Sequence, residues 1–369
     1  MINRAFQALR RLAVCACLMW CAAASAFAAT ARDANEANAA TFGAPPQEAQ
    51  QQQEQSKDKK KEKKEKPPTV AEPELKAAKA IEAAADIPAM LAAANEFLQK
   101  YPKSPLRPQV APLVADRINQ IKDPAQRIAQ AESYLKLFTA PGDAELVNAQ
   151  LLYAYIDANR LDDAFALAPK AVDKNPDPVA AMINLARGGL GEAQKKNLKY
   201  AAPSRQMALK AITLIESSRK PETVSDATWN DYKTRWLPQL YQWVAMLSLE
   251  AGDRADAKAN LASAIKLNPR DPISYVLLST MANDEYQRLA QAHKAAAAGA
   301  EKDALLKQAE AQMDEVIDAY AHAVALTEGN AQYDTMRAGL RADLESYYKY
   351  RHGNSTDGLQ ALIDKYKKP

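Results

Sequence analysis

The residues able to carry chemistry in this chain are few, and their spacing argues against it. The three histidines, His293, His322 and His352, share no metal-ligand spacing with one another or with carboxylates. His322 is expected to be a packed or half-exposed helical residue. All three cysteines, Cys15, Cys17 and Cys21, fall within the first 28 residues. A serine nucleophile would call for G-x-S-x-G and a zinc protease for H-E-x-x-H, and neither pattern occurs. Gly188-Gly189-Leu190-Gly191 has the look of a phosphate-binding loop, but no strand precedes it and no Lys-Ser/Thr pair closes it. It reads as a turn between helices. No catalytic residue, metal ligand or cofactor is assigned, and the chain is expected not to be an enzyme. The remaining catalytic alternative is a motif-free carboxylate pair of the glycosidase kind.

The elements that would have to position any functional side chain are helices. Hydrophobic residues make up 48% of the 369, much of that alanine, and glycine is scarce at 11. Such a composition favours helix throughout, and no alternating Val/Ile/Thr runs bounded by turn pairs suggest a sheet. The fold class expected is all-α.

At the N-terminus a basic stretch with Arg4, Arg10 and Arg11 leads into the apolar run Leu12–Ala24 and then Ala26-Phe27-Ala28, a small-x-small site. Residues 1–28 are expected to be a secretory signal, too short to span a membrane, which would place the mature chain across the inner membrane in the periplasm. The mature chain would then hold no cysteine. The 48 basic residues less those three arginines leave 45 against 45 acidic ones, so bulk charge makes no case for nucleic acid. Residues 29–71, with Gln50–Gln53, the run from Lys57 to Lys66 and Pro67-Pro68, are expected to be a disordered linker. The lysine run could grip a membrane or cell wall, or act as a solvated spacer; Asp58, Glu62 and Glu65 within it favour the spacer.

The clearest structural pattern lies in residues 238–271. Leu240, Val244 and Leu247 form one helical stripe, and Ala251-Gly252-Asp253 breaks it. Ala257, Leu261 and Ala264 form the next, closed by Asn268-Pro269. Residues 145–178 repeat the arrangement with Asn148, Leu151, Leu152 and Tyr155, then Ala164, Ala168, Ala171 and Pro176. The intervals from Leu152 to Ala164 to Pro176 equal those from Ala245 to Ala257 to Pro269. With Tyr241, Val244, Ala245 and Ser248 followed by Ala257, Leu261, Ala264 and Pro269, the chain resembles the tetratricopeptide repeat (TPR). It departs from that pattern where tryptophan, glycine and phenylalanine are replaced. The ending Phe97…Tyr101-Pro102-x-Ser104 is similar to repeats of bacterial envelope assembly factors of the same type. The resemblance implies a TPR-like α-solenoid of antiparallel helix pairs over residues 72–369.

Other segments fit that frame as helices. Pairs are expected from Glu72 onward, and residues 331–369 are expected to form a capping pair divided at Gly353-Asn354. Trp229, Trp236 and Trp243 stand seven apart on one helical face, read as inter-repeat core with a binding ridge as the alternative. Pro238 should kink or split that helix. From Ser279 to Val316 is 37 residues where the clean repeats have 12, so the surplus should project as a helical arm near 285–309, about 18 Å long. Leu289, Leu305, Leu306 and Met313 are its expected inner stripe.

Stacked pairs of this kind line a concave surface with their first helices. The partner-binding candidates are therefore Tyr153, Ile156, Asp157, Ile183, Arg187, Gln242, Met246, Glu250, Val276 and Thr280. Some TPR domains grip a C-terminal carboxylate with Lys and Asn on these helices; Ala149, Tyr153, Gln242 and Met246 stand at those places here. A peptide or partner helix held by mixed apolar and amide contacts fits better. The function expected is a non-catalytic protein-interaction scaffold of the cell envelope. The alternative is an envelope-surface protein tethered through its lysine run.

Overall fold

The computed structural model describes residues 70–367. The signal expected at 1–28, nearly all of the linker expected at 29–71 and the run from Lys57 to Lys66 lie outside the described residues. The described residues contain helices and connecting turns, and no strand. In chain order the α-helices are α1 (Glu72–Glu82), α2 (Ile87–Lys100), α3 (Arg107–Asn119), α4 (Pro124–Leu137), α5 (Glu145–Asp157), α6 (Leu161–Ala171), α7 (Pro178–Gln194) and α8 (Ala201–Glu216). They continue with α9 (Asp226–Asp231), α10 (Leu237–Glu250), α11 (Arg254–Leu267), α12 (Pro272–Ala295), α13 (Ala300–Thr327), α14 (Asp334–Arg351) and α15 (Leu359–Lys365). The hairpin partners α5 and α6, α7 and α8, α10 and α11, and α12 and α13 pack closely, α14 and α15 both pack on α13, and first helices of successive pairs also pack on one another: α3 on α5, α5 on α7, α7 on α10.

Local sequence sets where the helices start and stop. Asp123, Asp177 and Asp271 each precede a proline, and each side chain caps a helix by accepting a backbone N–H, from Gln126, Ala180 and Ser274. The turn after α10 is a Schellman closure. Asp253 N–H donates to the Ser248 carbonyl and Gly252 N–H to that of Leu249, with Gly252 at φ 81°. In the earlier repeat the same bonds run from Arg160 to Tyr155 and from Asn159 to Ile156, with Asn159 at φ 55°. Asn is the residue besides Gly that best tolerates this left-handed conformation, so two unlike sequences build one turn.

The small residues sit where helices cross. Leu152, Ala164, Ala168 and Ala171 are buried in one repeat, and Ala245, Ala257, Leu261 and Ala264 in the other. The Gly188-Gly189-Leu190-Gly191 stretch is not a turn: α7 runs straight through it to Gln194, and the chain turns away at Lys196, in the left-handed region at φ 71°. A Cβ on Gly189 would stand 1.7 Å from the Ser204 hydroxyl and 3.0 Å from the Tyr200 Cβ. The glycine is there to let α8 approach, at the cost in helix propensity that glycine carries.

Two further expectations are refined. The chain around Pro238 neither splits nor ends. A π turn over Tyr232–Trp236 carries α9 into α10, and the proline sits in the first turn of α10, where its missing N–H removes no needed bond. Trp229 and Trp243 are buried and Trp236 half-buried, with Trp236 and Trp243 rings edge to face at 6.0 Å, so the stripe belongs to the core. The arm is present as α12 and α13, of 24 and 28 residues against 14 each in α10 and α11. Residues 291–308 are exposed or half-exposed throughout. Leu289 and Met313 are buried inside it, but Leu306 is 42% exposed and Ala309 is buried instead. The reason is angular: Leu305, Ala309 and Met313 repeat every four residues, whereas Leu306 lies 100° around the helix from Leu305.

Candidate partner-binding surface

Four first helices, α5, α7, α10 and α12, carry the ten candidate residues. On α5, Ile156 is half-buried at the edge of the core and Asp157 is exposed. Tyr153 is half-buried; burial, with the Asp177 charge behind it, pushes its hydroxyl pKa well above the usual phenol range. On α7, the Arg187 guanidinium donates to Asn184 Oδ1 at 2.6 Å and remains half-exposed. On α10, Met246 is half-buried, and the Glu250 carboxylate pairs with Lys196 at 2.8 Å. On α12, Val276 and Thr280 are half-exposed, the Thr280 hydroxyl donating to the Val276 carbonyl at 2.9 Å.

Two candidates are withdrawn by their burial. Ile183 is 3% exposed within the α7 core. Gln242 is 5% exposed, and its Nε2 amide donates to Asp271 Oδ2 at 2.6 Å and to the Ser274 hydroxyl at 2.8 Å. Helical periodicity assigned Gln242 to the lining face of the first helix. What it could not show is that the capping loop of α12 lies over that position.

The polar joints between pairs follow one logic. Asp177, the cap of α7, accepts from the Tyr232 hydroxyl on the π turn, and Asp271, the cap of α12, accepts from Gln242 on α10. Burial raises both carboxyl pKa values, and the surrounding donors only partly counter it. A third joint links α8, α10 and α11: Arg205 donates to Ser248 at 3.0 Å and to Asp256 at 2.7 Å.

Two of the three histidines, His322 and His352, pack against aromatic rings. His322 is sandwiched between the rings of Tyr275 at 3.6 Å and Tyr366 at 4.2 Å, and burial lowers its pKa. His352 lies against Tyr348 at 4.1 Å. Beside it, Asp314, Ile317, Asp318 and Leu362 line an open depression of about 270 Å³, too shallow to enclose a small molecule as ligand sites do.

Hairpins closed by the same turn, alanines buried at matched crossings and first helices packed in sequence define the architecture. The described chain is a TPR-like α-solenoid. A crystal structure of a tetratricopeptide repeat protein from Parabacteroides merdae aligns over 80% of this chain and 98% of its own, with 14% identity and a TM-score of 0.29. No protein-family model and no curated protein matches the sequence. The TPR-like description therefore rests on the packing of this chain itself. Stacks of this kind present extended surfaces for protein partners, which is the type of function the fold supports.

Sequence reasoning missed one surface feature. Asp343, Tyr347 and Tyr350 lie at i, i+4 and i+7 on one face of α14, opposite Tyr286 of α12. The spacing was visible; that α12 supplies a facing wall was not.

Proposed function

We propose that the chain is a non-catalytic scaffold of the cell envelope that binds a peptide or partner helix across its first-helix surface. The observation that carries this reading is that α5, α7, α10 and α12, each packed on its neighbours, leave Ile156, Arg187, Met246 and Val276 half-exposed. An apolar side chain held at the edge of a rigid core is pre-organised, so a partner meets it without the entropy cost of ordering a loop. The flanking Asp157, Glu250 and Thr280 supply a polar rim. The periplasmic setting is supported by the signal-like residues 1–28.

The test is capture of protein partners from an envelope extract by three chains: the mature protein, one lacking residues 29–69, and an Ile156→Glu, Met246→Glu double variant. Partners kept by the truncated chain and lost by the double variant support the reading. Partners lost on truncation and kept by the double variant would instead assign binding to the lysine-rich segment, as a tether to the cell wall or envelope surface.

A further inference from the structure

The helices α12 to α15 hold together as a body of their own. One apolar core takes Tyr275 from α12, Tyr320 and Val324 from α13, Leu344 from α14 and Ile363 from α15. Polar ties run between the same helices: the Tyr347 hydroxyl of α14 donates to Asn283 Oδ1 of α12 at 2.5 Å, and Arg351 of α14 pairs with Asp314 of α13 at 2.9 Å. Tyr286 and Tyr347 add an edge-to-face contact at 6.1 Å.

Little apolar surface attaches this body to the rest of the stack. The core of α1–α10 ends at Leu247, and the buried cluster that follows takes a single side chain from α12. That side chain is Met281, set against Ala245 of α10 and against Ala257 and Leu261 of α11. Ile265 and Leu278 beside it are only half-buried. Methionine is unbranched, so it follows a neighbour that shifts where a stiffer side chain would clash. The polar contacts across the joint are also few. Gln242 Nε2 donates to Asp271 Oδ2 and to the Ser274 hydroxyl, and Arg254 meets Asp284 at 3.2 Å as an exposed pair of little strength. The joint one pair earlier has a similar polar tie, from Tyr232 to Asp177, but there the apolar core runs on through Trp229, Leu240 and Trp243. Two well-packed bodies that share a small apolar contact and one connecting turn move relative to each other unless a specific bond holds them.

We propose that α12–α15 pivot as one body on the turn at 268–271, with the Gln242 amide as the latch. This deepens the scaffold reading, on which the use of the motion rests: the pivot sets the spacing between Met246 on α10 and Val276 on α12. With the latch made, the first-helix surface has one width. With it released, α12 swings and the surface adjusts to partner helices of different girth. The contacts of a partner with both α10 and α12 then supply the energy that draws the two bodies into a single arrangement.

The experiment measures distances between nitroxide labels in the full chain, by double electron–electron resonance, with Cys15, Cys17 and Cys21 changed to serine. One label pair spans the joint, at Lys210→Cys on α8 and Ser346→Cys on α14, both exposed positions. The control pair, Ser133→Cys on α4 with Lys210→Cys, stays on one side of it. The expected result is a wider distance distribution for the spanning pair than for the control, and a width about doubled by Gln242→Leu in the spanning pair alone. Ser274→Ala, which removes one of the two latch bonds and keeps the backbone cap of α12, should widen it less. Circular dichroism checks that each variant keeps its helix content. Equal widths for the two pairs overturn the proposal, as does a spanning width that both substitutions leave unchanged. Equal widening of both pairs also overturns it, because that is general loosening and not a pivot. If the widths are equal while the envelope extract still yields partners that Ile156→Glu, Met246→Glu releases, the pivot fails and the scaffold reading stands. A latch-dependent spanning width with no such partner sinks the scaffold reading and keeps the pivot.

Discussion

The helices before Asp271 and those after it are built from different materials. From α1 to α10 one continuous apolar core runs from Ile81 to Leu247, with alanines and a glycine at the helix crossings. From α12 to α15 the core is separate, and its large members are tyrosines: Tyr275, Tyr320 and Tyr348. Between them lies a small cluster of Ala245, Ala257, Leu261 and Met281, reinforced by the Gln242–Asp271–Ser274 bonds. Both regions bury alanines and aromatic rings, but the first mixes Phe97, Phe138, Trp229 and Trp243 with its tyrosines, whereas the buried rings of the second are all tyrosines, which carry hydroxyls. The arm belongs to the second region alone, where Met313 of α13 joins that core.

The largest effect should come from filling the tightest crossing. Gly189→Leu must push α8 off α7, because even a Cβ would overlap the Ser204 hydroxyl, and a loss of about 3 kcal/mol is expected in urea unfolding. Gly191→Ala, where a Cβ meets open space in the same helix, should instead gain roughly 0.5–1 kcal/mol. If both substitutions behave alike, glycine at 189 is not serving close approach.

At the joint between the regions, Ala257→Leu and Ala264→Leu should each destabilise by roughly 1–3 kcal/mol through overpacking. Unchanged melting of both would remove these alanines from the helix contact. Gln242→Leu should cost about 1–2 kcal/mol by leaving Asp271 short of a donor. Its signature is regional: hydrogen exchange should speed up in α12–α15 before it does in α1–α8. Uniform acceleration would mean that the two regions share one cooperative core.

The smallest effect depends on pH. The folded pKa of Asp343, about 6, lies above the ordinary carboxylate value of about 4, so the folded state holds the proton more tightly. Its stabilising contribution is complete below about pH 4 and is lost as pH rises to 6. Asp343→Asn should therefore raise stability at pH 7.5 by something on the order of 1 kcal/mol, allowing for solvent screening, and the gain should vanish near pH 4. Melting curves at both values check it, and a gain that persists at pH 4 would contradict the assignment.

The repeat frame was legible because alanine spacing, Asp-Pro starts and a left-handed closing residue are local signals. The arm was legible as a surplus of residues between matched positions. What could not be read depended on partners distant in sequence. Gly189 looks like a helix breaker until Ser204 is seen against it. Gln242 looks like a lining residue until the cap of α12 covers it. Leu306 was lost to the arm's interior by one position, a rotation of 100°. The edge-to-face contact of Tyr286 with Tyr347 joins α12 to α14, residues 61 apart in sequence.

The account stands most directly on which helices a partner touches. Hydrogen–deuterium exchange of the mature chain, alone and with a partner captured from envelope extract, measures this. Protection gathered on α5, α7, α10 and α12 is the predicted result. Protection confined to the second helices α6, α8 and α11, or to residues 29–69, would contradict it.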